Sequence, residues 1–348
     1  MRVSDFDFDL PAELIAQTPT DDRESARLLV VDREADGFAD RGVADLPDLL
    51  TPGDLLVINE TRVFPARLLG HRVPTGGAVE CLLLTRLDDD RWDALMHPGQ
   101  KLRVGARVVF EREGRRLHGE VLERHMHGRR TVRLWVDGVE TVDDLVDALG
   151  HVPLPPYIHR SDRPVDRERY QTVYASVRGS VAAPTAGLHL TDAMLRRCTA
   201  QGIDVARVTL HVGYGTFKPV RVDRVEDHAV DAESYDVPPE TADAVNRALD
   251  TGGRVVAVGT TTTRALETAA RVGSGRLRAG TGVSDLYLYP GVGFKVVGAL
   301  FTNFHLPRSS LLMLVSALGG RERVLDAYAE AVRRGYRFYS YGDAMLLL

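Results

Sequence analysis

Histidine, threonine, asparagine and glycine gather in a few short stretches of this chain, and these are the residues that could do chemistry. Two such stretches lie within residues 179–220. The first, 184–191, carries Thr185, Gly187 and His189; the second, 211–218, carries His211, Gly213, Gly215, Thr216 and Lys218. Small residues let a ligand approach the backbone, while hydroxyl and imidazole groups offer hydrogen bonds. A third stretch is the turn Gly259-Thr260-Thr261-Thr262, which joins an apolar run to a helical one. Free N–H groups at such a helix start suit a carboxylate or a phosphate; the alternative is an ordinary capped turn. A fourth spans 302–310, with Asn303, His305 and Arg308 at its tip. A fifth is acidic, with Glu226, Asp227, His228, Asp231 and Glu233. It reads either as a solvated face or, beside a ligand, as a carboxylate–histidine set able to supply a general base.

Several chemistries lack their signatures. Neither 184–191 nor 211–218 pairs His with Cys or carboxylate at a metal-ligand spacing, and no metal centre is expected. A Gly-x-Ser-x-Gly elbow, a Walker loop and a GxGxxG fingerprint are missing. The two cysteines, Cys81 and Cys198, lie far apart in sequence and suggest neither a disulfide framework nor a zinc knuckle.

The elements that must position these residues follow from periodicity. Apolar runs at 28–32 and 55–59 predict strands, the second buried on both faces. It ends in Asn59-Glu60-Thr61-Arg62, which reads as site geometry at a strand end or as a turn with an Asn cap. A short helix with Pro11 in its first turn is expected near 10–15. From Arg67 to Asp137 six short β-type runs follow one another between Gly, Pro and charged turns, the texture of an antiparallel barrel or sandwich. A helix over 141–149 and a Pro-rich linker at 151–160 close that unit. Beyond it helix and strand alternate. Helices are expected after Thr191, over 240–249, after Gly259, after Ser309 or Ser310, and over 322–334. Strands are expected over 205–212, 254–258 and 294–301, with a β-like ending at 336–341. The expected fold is an α/β main domain, residues 1–66 plus 152–348, with an antiparallel β-barrel domain, 67–151, inserted into it.

Hydrophobic residues make up 44% and charged residues 27%, the proportions of a soluble globular protein. No apolar run reaches the roughly 20 residues a membrane helix needs, and no secretory signal is visible, so a cytoplasmic protein is expected. A monomer is favoured over an oligomer. The net charge of −5 argues against a uniformly basic nucleic-acid binder. Its distribution is uneven. Residues 1–60 carry fifteen acidic side chains against five arginines, whereas 101–133 carry ten basic against four acidic. That basic segment is either a local polyanion-binding face or a solvated β-surface.

Together the stretches FDFDLPAELIAQTP, DLLVINETRVFPARLLG, GHVPLPPYI, GSVAAPTAGLHLT, TLHVGYGTFKPV, VVAVGTTTTRALET, FKVVGALFTNFHLPRSSLLMLVSAL and YRFYSYGDAMLL resemble, nearly end to end, the S-adenosylmethionine:tRNA ribosyltransferase-isomerase family of queuosine biosynthesis. The resemblance implies an enzyme that uses S-adenosylmethionine as ribosyl donor and needs no cofactor. Its acceptor would be 7-aminomethyl-7-deazaguanine at the wobble position of a tRNA with a GUN-type anticodon, and its product epoxyqueuosine, with adenine and methionine released. It implies a substrate pocket lined by Thr185, His189, His211, Thr216, Thr260, Thr261, Arg264, Asn303 and His305. A general base is sought among His211, His228 and Glu233, and Arg23, Arg27, Arg62 and Arg67 are candidates for tRNA phosphate or methionine carboxylate. Two departures from the family pattern stand out. Val230, Asp231 and Ala232 replace a Met-His-Ser run, and Val292 replaces a Tyr. They leave open a related transferase acting on another 7-deazapurine acceptor, and the basic segment leaves open a non-catalytic RNA-binding homologue.

Overall fold

The computed structural model describes the backbone of residues 1–348 and every side chain except that of Phe217. Strands β1 (Arg27–Val31), β2 (Ala39–Gly42), β3 (Leu55–Asn59) and β4 (Thr61–Val63) come first. Then follow β5 (Arg67–Val73), β6 (Ala78–Arg86), β7 (Arg91–His97), β8 (Arg107–Arg112), β9 (Arg115–Arg124) and β10 (Arg129–Trp135). Strands β11 (Val177–Ser180), β12 (Asp204–Leu210), β13 (Glu233–Val237), β14 (Val255–Val258), β15 (Gly280–Ser284), β16 (Ala299–Asn303) and β17 (Ala344–Leu347) complete the set.

The six runs of the β-textured segment become β5–β10 and close into an antiparallel barrel in the order β10-β7-β6-β5-β8-β9. Alternation sets its inside: Val79, Cys81 and Leu83 from β6 meet Trp92, Ala94 and Met96 from β7 and Phe110 and Leu117 from the far wall. The helix Val142–Leu149 covers the barrel with Leu145, Val146 and Leu149. Thr141 starts that helix by accepting the Asp144 N–H, and the Asp144 carboxylate accepts the Thr141 N–H in return.

The main sheet has nine strands in the order β15-β13-β12-β3-β14-β16-β17-β1-β2. Its centre, β12-β3-β14-β16, is parallel. Every residue of β3, β14, β16 and β17 is buried, because helices cover both faces. One face takes Pro239–Asp250, Thr260–Val272, Ser310–Gly319 and Arg321–Arg333; the other takes Asp192–Ala200 through Met194 and Cys198. The architecture is therefore an α/β layer interrupted by a closed barrel. No helix among the described residues is long and apolar enough to cross a membrane.

Three expected elements differ. The strand expected over 294–301 begins only at Ala299. The N–H groups of Lys295, Val296 and Val297 donate to the Glu267 carboxylate at 2.7, 2.9 and 2.9 Å, so a side chain takes the place of a ladder there. The ending at 336–341 is not a strand; β17 starts at Ala344. Tyr336 and Phe338 are apolar at alternate positions because they join the aromatic cluster of Phe304 and Tyr328. Over 10–15 only a 3-10 turn, Ala12–Leu14, forms, because the Ala16 N–H donates to Phe338 O and the Phe338 N–H to Leu14 O, which fixes Ile15 in extended geometry. The short polar strands β2, β4, β11, β13 and β15 carry no apolar periodicity to announce them.

Glu267 is fully buried, and its carboxylate also pairs with Arg271 at 2.7 Å. Glu267→Ala leaves three amides and a guanidinium without their acceptor. It is expected to cost about 3–5 kcal/mol in urea denaturation, and Glu267→Gln less.

Candidate active site at the carboxyl ends of the sheet

The parallel strands end together, and the polar stretches of the sequence converge on that edge. Asn59 closes β3 with a carboxamide fully shielded from solvent. Its Oδ1 accepts the N–H of Leu210 at 3.0 Å and of Thr61 at 3.1 Å. Its Nδ2 donates to Leu210 O at 3.0 Å and to Thr261 Oγ1 at 3.4 Å. The side chain thus prolongs the β3–β12 ladder by one step and ties in the first turn of Thr260–Val272. Gly259 makes the turn into that helix at φ 88°, a conformation that favours glycine.

His211 follows directly on β12. Its Nδ1 lies 2.8 Å from Thr61 Oγ1, which lies 2.7 Å from Ser180 Oγ, which accepts the Val212 N–H at 2.8 Å. The imidazole rests on Gly179: a Cβ there would stand 2.5 Å from Cε1 and 2.7 Å from Nδ1. Burial lowers the His211 pKa below the ordinary histidine value.

At β16 a second set forms. Thr185 Oγ1 donates to Asn303 Oδ1 at 2.9 Å, and Asn303 Nδ2 donates to His189 Nε2 at 3.0 Å. His305 Nε2 lies 3.1 Å from Thr302 Oγ1, and the His305 backbone N–H donates to Tyr328 Oη at 3.0 Å. The structure therefore brings Thr185, His189, His211, Thr260, Thr261, Asn303 and His305 to one end of the sheet. Arg308 is turned away to pair with Asp7.

Glu233 and Arg264 form a buried ion pair beside this edge. Glu233 Oε1 also accepts the Gly213 N–H at 2.8 Å and the Thr216 hydroxyl at 3.4 Å. Arg264 gives three of its remaining donors to the carbonyls of Leu286, Asp231 and Ser284. Burial pushes the Glu233 carboxyl up, and Arg264 with the Gly213 N–H pulls it back. Oε1 thus holds the 213–216 loop, and Oε2 is taken by Arg264. His228 stands edge-on to Tyr287, ring centroids 5.1 Å apart, its pKa lowered by burial. Of the family departures, Asp231 pairs with Lys218 at 2.6 Å and lies against Gly215, while Val292 packs on the main core.

A cavity of about 990 Å³ opens between the barrel and the 153–160 linker. It is bordered by His97 and Arg124 at the ends of β7 and β9, by His125 and His127 of the following loop, by Arg67, and by the linker prolines Pro153, Pro155 and Pro156. It touches the strand-end cluster through Val181 and Tyr214, the neighbours of Ser180 and Gly213. Arg67 reaches it paired with Glu80 at 2.7 Å. Arg62 is exposed. Arg23 is bound to the carbonyls of Leu188, Glu168 and Gln171, and Arg27 is paired with Asp40 and stacked on Tyr336. The buried Arg130 joins the cavity loops by donating to Leu102 O and Gly99 O. No group of three His, Cys, Asp or Glu side chains able to hold a metal ion occurs among the described residues. Asn59 was legible only as an alternative to a turn. Ser180 and the linker had no chemical signal of their own, since a lone Ser and a run of Pro acquire a role only from what faces them.

Burial drives the pKa of His189 down to about 4 and of His305 to about 3. In the unfolded chain each titrates near 6.5. Above that pH both states hold neutral rings and the native fold is unpenalised. Below it the unfolded state takes up protons that the native state refuses, so stability declines toward the folded values. Tm is expected to fall between pH 6.5 and 4, and less steeply in His305→Asn, as read by thermal denaturation at stepped pH.

The description "Queuosine biosynthesis protein" matches residues 3–347. The chain is 53% identical over its full length, and the relative's, to the S-adenosylmethionine:tRNA ribosyltransferase-isomerase of Symbiobacterium thermophilum. It is 49% identical, again over both full lengths, to that of Desulfitobacterium hafniense. Among solved structures, an S-adenosylmethionine tRNA ribosyltransferase from Thermotoga maritima is similar at 36% identity and a TM-score of 0.55, over 99% of this chain and 100% of that one. With a barrel set into an α/β layer and a match that leaves out only three terminal residues, the chain belongs to the family of queuosine biosynthesis proteins, the S-adenosylmethionine:tRNA ribosyltransferase-isomerases.

Proposed function

We propose that this protein transfers the ribosyl part of S-adenosylmethionine to 7-aminomethyl-7-deazaguanine at the wobble position of tRNA and isomerises it to the epoxycyclopentane of epoxyqueuosine. Adenine and methionine leave. The observation that carries this reading is the convergence of the hydroxyl, amide and imidazole groups of four loops on one sheet edge, beside a cavity rimmed with cations. The cavity suits a nucleotide brought out of an RNA loop, with His97, His125 and His127 as stacking surfaces and Arg67 and Arg124 near phosphates. Thr185, Thr216, Thr260, Thr261 and Asn303 then contact the donor, and Arg264 and His305 support them from behind.

A sulfonium acidifies the adjacent 5′ carbon, so a base must take its proton. Glu233 is held by Arg264 and Gly213, which leaves His211 and His228 as candidates for that role. GUN-type anticodons define the acceptor tRNAs, the donor is a substrate rather than a resident cofactor, and the setting is cytoplasmic, with the monomer as the working unit.

The test is adenine release from S-adenosylmethionine with tRNA carrying the deazaguanine precursor, followed by nucleoside analysis. Adenine and epoxyqueuosine in equal amounts are expected. Equal release with the free deazapurine would shift the acceptor away from tRNA, and tRNA binding without any release would leave only an RNA-binding homologue. Affinity for tRNA is expected to fall steeply with salt, with a slope of about −0.7 to −0.9 per phosphate contact. Arg124→Gln should flatten a double-logarithmic plot by about one contact. A flat plot for the wild type would remove the barrel as a docking surface.

A further inference from the structure

The two hydroxyls behind His211 determine what that ring can offer a substrate. Ser180 and Thr61 have no solvent exposure, so their hydrogens must find acceptors within the protein. Each hydroxyl has one hydrogen to give. Ser180 Oγ already accepts the Val212 N–H at 2.8 Å. Among the described residues the acceptor within reach of its hydrogen is Thr61 Oγ1, at 2.7 Å. The Thr61 hydrogen is then directed to its remaining neighbour, His211 Nδ1, at 2.8 Å. Nδ1 therefore accepts, and the hydrogen of a neutral ring sits on Nε2. The opposite order, with Nδ1–H donating to Thr61 and Thr61 to Ser180, strands the Ser180 hydrogen in a sealed site. A stranded buried donor biases the two forms by about tenfold or more.

Packing on Gly179 opposes a ring flip, which would bring Cδ2 rather than Nδ1 to Thr61. The ring lies on the Gly179 backbone so closely that a Cβ there would stand 2.5–2.8 Å from three ring atoms. Burial keeps the ring neutral at neutral pH.

We propose that the Ser180–Thr61 hydroxyl chain holds His211 as its Nε2–H tautomer, so that His211 meets the substrate as a neutral hydrogen-bond donor and not as the proton-abstracting base. Where His211 borders the donor site, this rests on the ribosyl-transfer reading above. A neutral imidazole does not give up its N–H proton at these pH values, so its part is to stabilise an electron-rich acceptor. A carboxylate oxygen of the methionine end and a ring nitrogen of the departing adenine both have that chemistry. Proton abstraction then falls to another group, with His228 the remaining imidazole of the set. Thr61 and Ser180 are positioning residues.

The tautomer can be read without substrate or turnover. In protein labelled with ¹⁵N-histidine, two-bond ¹H–¹⁵N correlation at neutral pH should show His211 with Nδ1 bare and Nε2 protonated, its signals assigned by their loss in His211→Gln. A protonated Nδ1 overturns the proposal whether or not the protein proves to be a ribosyltransferase. Thr61→Val should mix the two tautomers and Thr61→Ser should restore the single form; an unchanged spectrum in Thr61→Val would show that the chain does not set it. In the adenine-release assay His211→Gln, which keeps an N–H donor without a base, should retain at least about tenfold more activity than His211→Ala. Equal loss in the two would return His211 to the role of base. A difference confined to the KM for S-adenosylmethionine places the donor on the carboxylate, and one confined to kcat places it on adenine.

Discussion

The carboxamide of Asn59 is the interaction on which the site depends. β3 ends there, and a strand end inside a core leaves backbone groups of its neighbour unpaired. The Asn59 side chain meets both the N–H and the C=O of Leu210, as a further backbone unit would, and takes the Thr61 N–H as well. It thereby sets where β12 stops and His211 begins, how β4 departs toward the barrel, and where the first turn of Thr260–Val272 sits. Leaving each of these groups unsatisfied would cost about 1–3 kcal/mol.

Buried charge does similar work farther out. Glu233 and Arg264 are spent on each other and on main-chain groups of 213, 231, 284 and 286. Their worth lies in joining β13, β15 and the 213–216 loop into one rigid wall rather than in net stability, because desolvation offsets much of the attraction. Asp231 is attached to this wall through its carbonyl and through Lys218. A change of side chain there alters the outer surface of the loop and leaves the buried pair in place.

The barrel brings a different kind of chemistry to the same place. Much of the basic segment 101–133 is neutralised locally, as in Arg116 with Glu111 and Arg133 with Glu120. Arg124, His97 at the end of β7 and the histidines of the β9–β10 loop instead line the cavity together with the linker prolines. A ligand there touches both units at once, which suits a substrate made of a nucleotide with its backbone.

The order of apolar runs was enough to read the layers: six barrel strands, the buried β3 and β14, and the helices begun by Thr141, Thr191 and Ser309. These are local properties, written in periodicity and capping. The Gly-, Thr- and His-bearing loops were legible for the same reason, since residue types that cannot sit comfortably in a core mark themselves. Partnership was not legible. That Glu267 replaces a strand ladder at 295–297, that Tyr336 and Phe338 alternate for an aromatic cluster, and that Asn59 completes a neighbouring strand all depend on contacts between distant residues. Ser180 makes the same point most sharply. As a residue type it is unremarkable in the sequence, yet burial beside Thr61 leaves its one hydrogen a single direction, and only the tertiary structure supplies that burial.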